Sequence, residues 1–159
     1  MRIAILTVSD LGSQGKREDT SGDAIHEWAM KGGNEVVVRS VVPDETSHIA
    51  GKLARWADSG EVDVILTTGG TGLTARDVTP EATLVILDRQ APGIAEALRA
   101  NAGPYFPNAW LSRGVAGTRG RTLIVNLPGS TSGVKDGLAV LATLLDHAVG
   151  LLSGEGATH

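Results

Sequence analysis

The sequence predicts an α/β fold of three layers, αβα, around a central and mostly parallel sheet. Short continuous apolar runs alternate with amphipathic stretches along the chain, and this alternation is typical of repeated βαβ units. The runs are apolar at consecutive positions, as in strands that helices cover on both faces. The 159 residues, 42% of them hydrophobic, are enough for one domain with a substantial core.

The first half of the chain contains three predicted strands and two predicted helices. Three continuous apolar or β-branched runs predict the strands: Ile3–Val8, Glu35–Val42 and residues 62–67. After the first strand, Thr20 or Ser21 is expected to cap a helix that ends at Gly32. A second helix is predicted from Glu45 to about Ser59, because its apolar side chains recur at helical spacing.

The second half contains a fourth strand and three further predicted helices. Pro80 and Pro92 each occupy a first-turn position and open a short helix. Residues 103–120 are rich in loop-forming residues, and no element is predicted there. A strand is predicted over residues 122–126. One long final helix is expected, with an apolar stripe made of Val134, Leu138, Leu141, Leu145, Ala148 and Leu152.

Composition excludes several classes of protein. Cysteine is absent, which excludes disulfide frameworks, thiolate nucleophiles and cysteine-ligated zinc. The net charge of −4 lacks the cationic field of a non-specific DNA-binding protein. The apolar runs are too short for a membrane span or a signal peptide. We therefore expect a cytoplasmic protein without membrane or nucleic-acid partners. Its single domain is predicted over residues 1–152, followed by a flexible C-terminal tail over residues 153–159.

Polar segments follow the strands at the point where each strand ends. These segments are residues 9–21, 43–45, 67–77 and 126–133. The carboxyl ends of parallel strands meet at one edge of a sheet, and ligands of open α/β sheets bind just outside that edge. The sequence therefore predicts that the four loops converge on one ligand site.

The strongest single motif is Thr-Thr-Gly-Gly-Thr-Gly at residues 67–72, directly after the third strand. Glycines let backbone N–H groups approach a ligand without obstruction by a Cβ atom, and the threonine hydroxyls add further donors. A tight turn alone would need only one glycine. The motif therefore indicates that an anionic phosphate or a pterin binds here.

Neither of two common nucleotide-binding motifs describes this sequence well. Gly70-x-Gly72-x-x-Ala75 fits the dinucleotide fingerprint only loosely, because it follows the third strand and Pro80 interrupts the expected helix. A nicotinamide-dependent oxidoreductase is therefore disfavoured. Neither Lys16 nor Lys52 is followed by Ser or Thr, so the phosphate loop of P-loop enzymes is absent.

Asp44 and Asp77 are the carboxylates of greatest interest. Each lies near a proline-containing turn at a strand end. Two carboxylates can hold a hydrated Mg²⁺ against substrate phosphates, since magnesium keeps several waters and takes few protein ligands. Alternatively, each aspartate caps the helix that follows it. The sequence leaves both interpretations open.

Other chemistry-bearing residues give weaker signals. The loop at residues 126–130 enters the last helix, so Ser130 either caps that helix or forms part of a second anion site. Residues 16–19 form a charged segment in which Arg17 is a candidate ligand contact. The four histidines show no metal-binding spacing: His26, His48, His147 and His159. No Gly-x-Ser-x-Gly nucleophile motif is present.

Together these segments resemble one known family. Residues 67–72, followed by Arg-Asp-Val-Thr-Pro-Glu-Ala-Thr at 76–83, resemble the signature of the molybdopterin adenylyltransferases, the MogA/MoaB family. Further matching blocks lie at residues 7–10, 17–22, 42–45, 111–113 and 126–129. The resemblance spans residues 2–150, nearly the whole chain. Related domains occur in molybdenum-insertion proteins and competence-damage-inducible proteins.

The resemblance implies a Rossmann-like, molybdopterin-binding fold and an enzyme that assembles as a homotrimer or a hexamer. Such enzymes transfer AMP from ATP, with Mg²⁺, to the terminal phosphate of molybdopterin and release pyrophosphate. Asp44 and Asp77 would be the catalytic and metal-binding carboxylates. The implied substrate-binding residues are Ser9, Asp10, Thr68, Gly69, Gly70, Thr71, Gly72, Pro128, Gly129 and Ser130.

One departure and one alternative accompany the resemblance. After Ser130 many relatives carry a basic pair, whereas here the next lysine is Lys135. The alternative function is a non-catalytic molybdopterin-binding or scaffold protein of the same fold. The sequence leaves open the order of the oligomer, the choice between molybdenum and tungsten, the preferred nucleotide and the aspartate that binds Mg²⁺ directly.

Overall fold

The sheet is mostly parallel, as predicted, and it has six strands rather than the four that the sequence indicates. The structure is a computed structural model that describes residues 1–155. The strands are β1 (Arg2–Val8), β2 (Glu35–Val42), β3 (Val64–Thr68), β4 (Arg89–Gln90), β5 (Ala116–Arg119) and β6 (Thr122–Leu127). They lie in the order β2-β1-β3-β6-β5-β4. The first four strands in this order are parallel to one another, β5 is antiparallel to β6, and β4 is antiparallel to β5.

Helices cover both faces of this sheet. They are α1 (Asp10–Ser13), α2 (Thr20–Lys31), α3 (Thr46–Asp58), α4 (Thr79–Leu84), α5 (Pro92–Ala102), α6 (Thr131–Leu141) and α7 (Leu145–Ser153), with a 3-10 helix at Pro107–Leu111. Ile3 and Ile5 of β1 belong to one buried cluster, which includes side chains of α2, α6 and α7. Ala4 and Leu6 belong to a second, with side chains of α3 and α4. Successive strand residues point to opposite faces, so the predicted three layers are confirmed.

Residues 103–120, to which the sequence pattern assigns no element, contain the 3-10 helix Pro107–Leu111 and a second ordered segment, residues 116–119. These residues form β5, which pairs with β6 through a two-residue turn and with the short edge strand β4. Gly120 in the turn has φ +55°, a conformation suited to tight hairpins. Gly117 lies so close to the backbone of Arg89 that a Cβ would meet its carbonyl oxygen at 2.3 Å. A strand is usually recognised in a sequence by alternating apolar residues. In β5 that signal is missing, and close approach of the backbone holds the strand in the sheet instead.

The predicted long final helix is two helices, α6 and α7, which meet at a bend of 60°. Thr143 explains the break, because its hydroxyl donates to the carbonyl of Val140 at 2.8 Å. The N–H of Leu144 donates to Leu141, three residues back, which tightens and ends the helix. The apolar stripe still contacts the core from both helices.

The cap of α2 also differs from the prediction. Asp19, not Thr20 or Ser21, is the cap residue, and its carboxylate accepts the N–H of Gly22 at 3.0 Å. The same carboxylate accepts the hydroxyl of Thr7 and a hydrogen bond from Arg39. With these three partners the Asp19 side chain is only 13% exposed.

The C-terminal end of the chain lies only partly within the described residues. Helix α7 ends at Ser153, one residue past the predicted domain boundary. Most of the predicted tail, residues 156–159, lies outside the described residues. Within residues 1–155 no single helix has the length and apolar character to cross a membrane. The bent pair α6 and α7 would do so on length and composition alone.

Candidate active site

The four predicted loops line a common cavity of about 390 Å³ at the carboxyl ends of the parallel strands. Its walls include Ser9 and Asp10 after β1, Asp44 after β2, Gly70 after β3 and Gly129 after β6. Asp77, Thr68, Gly69 and residues of the charged segment 17–19 complete the lining. The expected convergence of strand-end loops is therefore what the fold produces.

Asp10 and Asp44 hold each other through reciprocal hydrogen bonds. The N–H of Asp10 donates to Asp44 Oδ2 at 2.8 Å, and the N–H of Asp44 donates to Asp10 Oδ1 at 3.0 Å. Arg76, from the loop after β3, donates to both carboxylate oxygens of Asp10 at 3.0 and 2.8 Å. Three strand-end loops are thus joined at one point beside the cavity.

This arrangement shifts the pKa values of the two aspartates in opposite directions. Burial raises the pKa of Asp44, and the nearby charges of Asp10 and Asp77 raise it further. The N–H of Asp10 and the charge of Arg76 oppose that rise. The hydrogen bonds from Arg76 lower the pKa of Asp10. The surrounding protein groups therefore compensate the negative charge of Asp44 only in part.

Asp77 lies on the wall of the same cavity and closes a local turn. Its Oδ2 accepts the N–H of Thr74 at 3.0 Å and the hydroxyl of Thr74 at 2.8 Å. The N-cap residue of α4 is Val78 and that of α3 is Glu45, and neither helix has a side-chain cap hydrogen bond. The interpretation of Asp44 and Asp77 as helix caps is therefore wrong.

The two aspartates fit the donor chemistry of Mg²⁺. Within residues 1–155, Oδ1 of Asp44 and Oδ1 of Asp77 accept no hydrogen bond, while each Oδ2 is engaged. Hard carboxylate oxygens are the ligands that Mg²⁺ prefers. The same residues contain no cluster of three or more acidic or histidine side chains that could hold a metal by themselves. Waters and phosphate oxygens would have to complete the coordination.

The glycine loop after β3 takes a shape that only glycine accommodates at two positions. Gly69 and Gly70 have φ of +94° and +70°. A Cβ on Gly69 would lie 2.3 Å from the carbonyl oxygen of Val8, and one on Gly70 would lie 2.2 Å from the Thr79 hydroxyl. That hydroxyl is buried and donates to the carbonyl of Gly69 at 2.9 Å. The fold itself therefore requires glycine at positions 69 and 70.

The predicted site residues also bond to one another across loops. The Thr68 hydroxyl donates to the carbonyl of Pro128 at 2.7 Å and so joins the glycine loop to the loop after β6. Ser9 caps α1 by accepting the N–H of Gly12. Ser130 caps α6 by accepting the N–H of Gly133. The hydroxyls of Thr68, Ser9 and Ser130 thus support the loops that form the walls.

A second cavity of about 640 Å³ adjoins the first. Gly70, Asp77 and Gly129 line both cavities. The remaining predicted residues, Thr71, Gly72, Pro128 and Ser130, line only the second. Its lining also includes the exposed apolar side chains Tyr105, Phe106 and Leu111. Two spaces of different character therefore meet at the glycine loop and Asp77.

Lys135 does not replace the basic pair that the sequence lacks after Ser130. It is exposed and lines neither cavity. The hydrogen bond from Lys31 is the main cause of the lowered pKa of Glu27 on α2, and the charge of Lys135 lowers that pKa further. Among the basic side chains, Arg17 lines the first cavity and Arg99 lines the second.

Sequence reasoning missed two residues that shape the site, Arg76 and Arg113. Arg76 binds Asp10 as described above. Arg113 donates to the carbonyls of Gly72 and Asp77 at 2.8 and 2.7 Å. Both lie in segments that resemble the family, but the partner of each is distant in sequence, so only the fold reveals it.

Comparison with known proteins shows the family to which this chain belongs. A family model described as "Probable molybdopterin binding domain" matches residues 4–147, which include all four loops. The chain belongs to this family. The molybdopterin adenylyltransferase of Helicobacter pylori strain J99 is 36% identical, and the match covers 97% of this chain and 89% of that protein.

Solved members of the molybdopterin-binding family share the fold. The molybdopterin biosynthesis enzyme MoaB of Thermus thermophilus is 51% identical, with a TM-score of 0.91 and 96% of each chain covered. The domain also occurs within longer proteins. The molybdenum cofactor synthesis protein cinnamon of Drosophila melanogaster is 41% identical over 95% of this chain, which spans only 25% of that protein.

Proposed function

We propose that this protein is a molybdopterin adenylyltransferase of molybdenum cofactor biosynthesis. It would transfer AMP from ATP, with Mg²⁺, to the terminal phosphate of molybdopterin. Relatives that carry this name are similar over most of this chain. The family membership supports binding of molybdopterin, and the geometry of the cavities supports a reaction between two bound molecules.

The observation that carries the proposal is the junction between the two cavities. Gly70, Asp77 and Gly129 line both spaces, so ligands in the two cavities would meet at these residues. Backbone amides of a glycine loop are suited to phosphate oxygens. A transfer between two phosphorylated molecules requires such a shared point, whereas binding of one pterin does not.

In the proposed reaction an oxygen of the molybdopterin phosphate attacks the α-phosphorus of ATP. A new P–O bond forms, the bond from the α-phosphorus to the bridging oxygen breaks, and pyrophosphate leaves. No side-chain nucleophile takes part, in keeping with the absence of cysteine. The two reacting groups are both anionic, so the protein must hold them together against repulsion.

Each part of the site has a task in this reaction. The glycine loop offers N–H donors to phosphate oxygens, and donors fixed in advance stabilise charge without reorganisation. Oδ1 of Asp44 and Oδ1 of Asp77 would hold Mg²⁺. When bound, the ion screens the charge of the phosphates. The bonds of Asp10 and Thr74 keep the two carboxylates in place.

The test is incubation with molybdopterin and Mg-ATP, followed by mass detection of the AMP adduct. Asp77→Asn is expected to reduce the rate by about 10²- to 10³-fold, as is typical when one group that stabilises developing charge is lost. Asp146→Asn is the matched control, because Asp146 is exposed on α7 and lines neither cavity. Wild-type turnover of Asp77→Asn would remove Asp77 from the mechanism.

The same experiment separates this proposal from the non-catalytic alternative. A scaffold protein would bind molybdopterin in calorimetry and consume no ATP. Binding without any AMP adduct in the wild-type protein would therefore support the alternative. Titration with NADH gives the corresponding test of an oxidoreductase.

The resemblance also leads us to propose a homotrimer or hexamer in the cytoplasm, without nucleic-acid or membrane partners. Light scattering of the purified protein gives its mass, which for one subunit is 16.4 kDa. A monomer at micromolar concentration would contradict the assembly part of the proposal.

A further inference from the structure

Arg113 belongs to a sequence block, Leu-Ser-Arg at 111–113, to which the proposed reaction assigns no task. Its guanidinium donates to the carbonyls of Gly72 at 2.8 Å and of Asp77 at 2.7 Å, and it forms an ion pair with Glu81. Its own N–H donates to the carbonyl of Thr71 at 2.9 Å. All of its partners lie on the single segment 71–81, which contains Asp77.

The segment that carries Arg113 is itself fixed by hydrogen bonds from another element. Arg99 of α5 donates to the carbonyls of Ser112 and Gly114 at 3.1 and 2.9 Å. Arg99, Ser112 and Gly114 line the second cavity. A continuous set of hydrogen bonds therefore runs from the wall of the second cavity, through Arg113, to the backbone of Asp77.

We propose that Arg113 is the positioning residue for Asp77. By fixing the carbonyls on either side of the 73–76 turn, it sets the direction in which the Asp77 carboxylate enters both cavities. The bonds through Arg99 make this position depend on the wall of the second cavity. The inference rests on the proposed AMP transfer for its kinetic part only.

The contacts of Arg113 require the geometry of a guanidinium group. Its planar set of five donors reaches two carbonyls and one carboxylate at once, whereas a lysine ammonium is a compact charge on a flexible stem. Arg113→Lys therefore keeps the charge opposite Glu81 and loses the fixed pair of carbonyl bonds. Misplacement of a reacting group lowers turnover more than ground-state binding, by about ten- to a hundredfold.

Arg119 offers a matched control. It forms an ion pair with Asp58 and donates to the carbonyl of Ile86 at 2.9 Å, a similar mixture of contacts. It lies on β5, and it lines neither cavity. Arg119→Lys is expected to change the midpoint of urea unfolding as much as Arg113→Lys does, and to leave kcat unchanged.

Two measurements on the full-length protein test the inference. In Arg113→Lys, kcat is expected to fall about ten- to a hundredfold while KM for ATP changes about threefold or less. In the ligand-free protein, amide hydrogen exchange over residues 71–78 is expected to accelerate in Arg113→Lys and not in Arg119→Lys. If the wild type transfers no AMP, the proposed function fails, and the exchange result alone decides whether Arg113 holds the loop.

Other results of these two measurements would overturn the inference. Unchanged exchange over residues 71–78 would overturn the inference, and so would faster exchange with unchanged kcat. Should Arg113→Lys fail to fold, Glu81→Gln removes the ion pair and keeps the guanidinium. It is expected to lower kcat about threefold and to accelerate exchange partially. No change in either quantity would overturn the inference as well.

Discussion

Gly70→Ala is expected to destabilise the protein and to impair AMP transfer, because two separate costs fall on this position. Gly70 has φ of +70°, where L residues are strained. An alanine Cβ would also lie 2.2 Å from the Thr79 hydroxyl and 3.2 Å from Asp44 Oδ1. The hydroxyl would have to move, which breaks its buried hydrogen bond to Gly69.

The two costs can be estimated separately. The left-handed conformation costs an alanine about 1–2 kcal/mol. Loss of the buried bond between Thr79 and Gly69 adds about 1–3 kcal/mol. The sum for Gly70→Ala is therefore about 2–5 kcal/mol. Gly120→Ala is the matched control, because its φ is +55° and an alanine Cβ there would have no atom within 4 Å; it should cost about 1–2 kcal/mol.

Urea unfolding at neutral pH measures the difference between the two variants. Both should shift the midpoint at constant m value, and Gly70→Ala should shift it further. The rate of AMP transfer should fall in Gly70→Ala only, because the displaced contacts include Asp44. Equal losses of unfolding free energy in the two variants would refute the reasoning that the Thr79 contact adds to the backbone cost.

Two pH-dependent predictions follow from the raised pKa of Asp44. Its native pKa lies above the unfolded value, so the ionised carboxylate destabilises the native state at neutral pH. At pH 7, Asp44→Asn should therefore unfold at a higher urea concentration than the wild type, and it should lose AMP transfer. The difference in unfolding free energy between the two proteins should vanish below the ordinary aspartate pKa of about 3.9. We assign the acid limb of the pH profile of kcat/KM to Asp44. This limb should move to lower pH in Asp10→Asn, which removes a negative charge near Asp44. It should move to higher pH in Arg76→Gln, which removes a positive charge. Shifts of the same sign in these two variants would contradict the assignment of the limb to Asp44.

The parallel part of the sheet and the convergence of its loops were predictable from sequence. Consecutive apolar residues define β1 and β3 without help from distant contacts, and parallel connectivity then places their following loops at one edge. That Asp44 and Asp77 both line the first cavity followed from their places in those loops. These features depend on local pattern and on a topological rule, both of which a single sequence contains.

The remaining features depend on contacts that local pattern does not encode. Strand β5 exists because its backbone approaches Arg89 and pairs with β6. The stripe that predicted one final helix is real, but the Thr143 hydroxyl competes for a helix carbonyl and ends α6. Arg113 and its carbonyl partners are 36 to 41 residues apart in sequence. Its role therefore follows from the fold and not from spacing.

The strand-end loops are fixed by bonds that cross from one loop to another. These bonds join Asp10 to Asp44, Thr68 to Pro128, and Arg113 to the loop at residues 72–77. Each of these bonds joins two groups of the protein, so the arrangement is part of the fold. Groups held in this way require little reorganisation when charge develops between two phosphates. Substitutions that break the cross-loop bonds should therefore lower kcat, whereas substitutions on the exposed apolar wall of the second cavity should act mainly on KM.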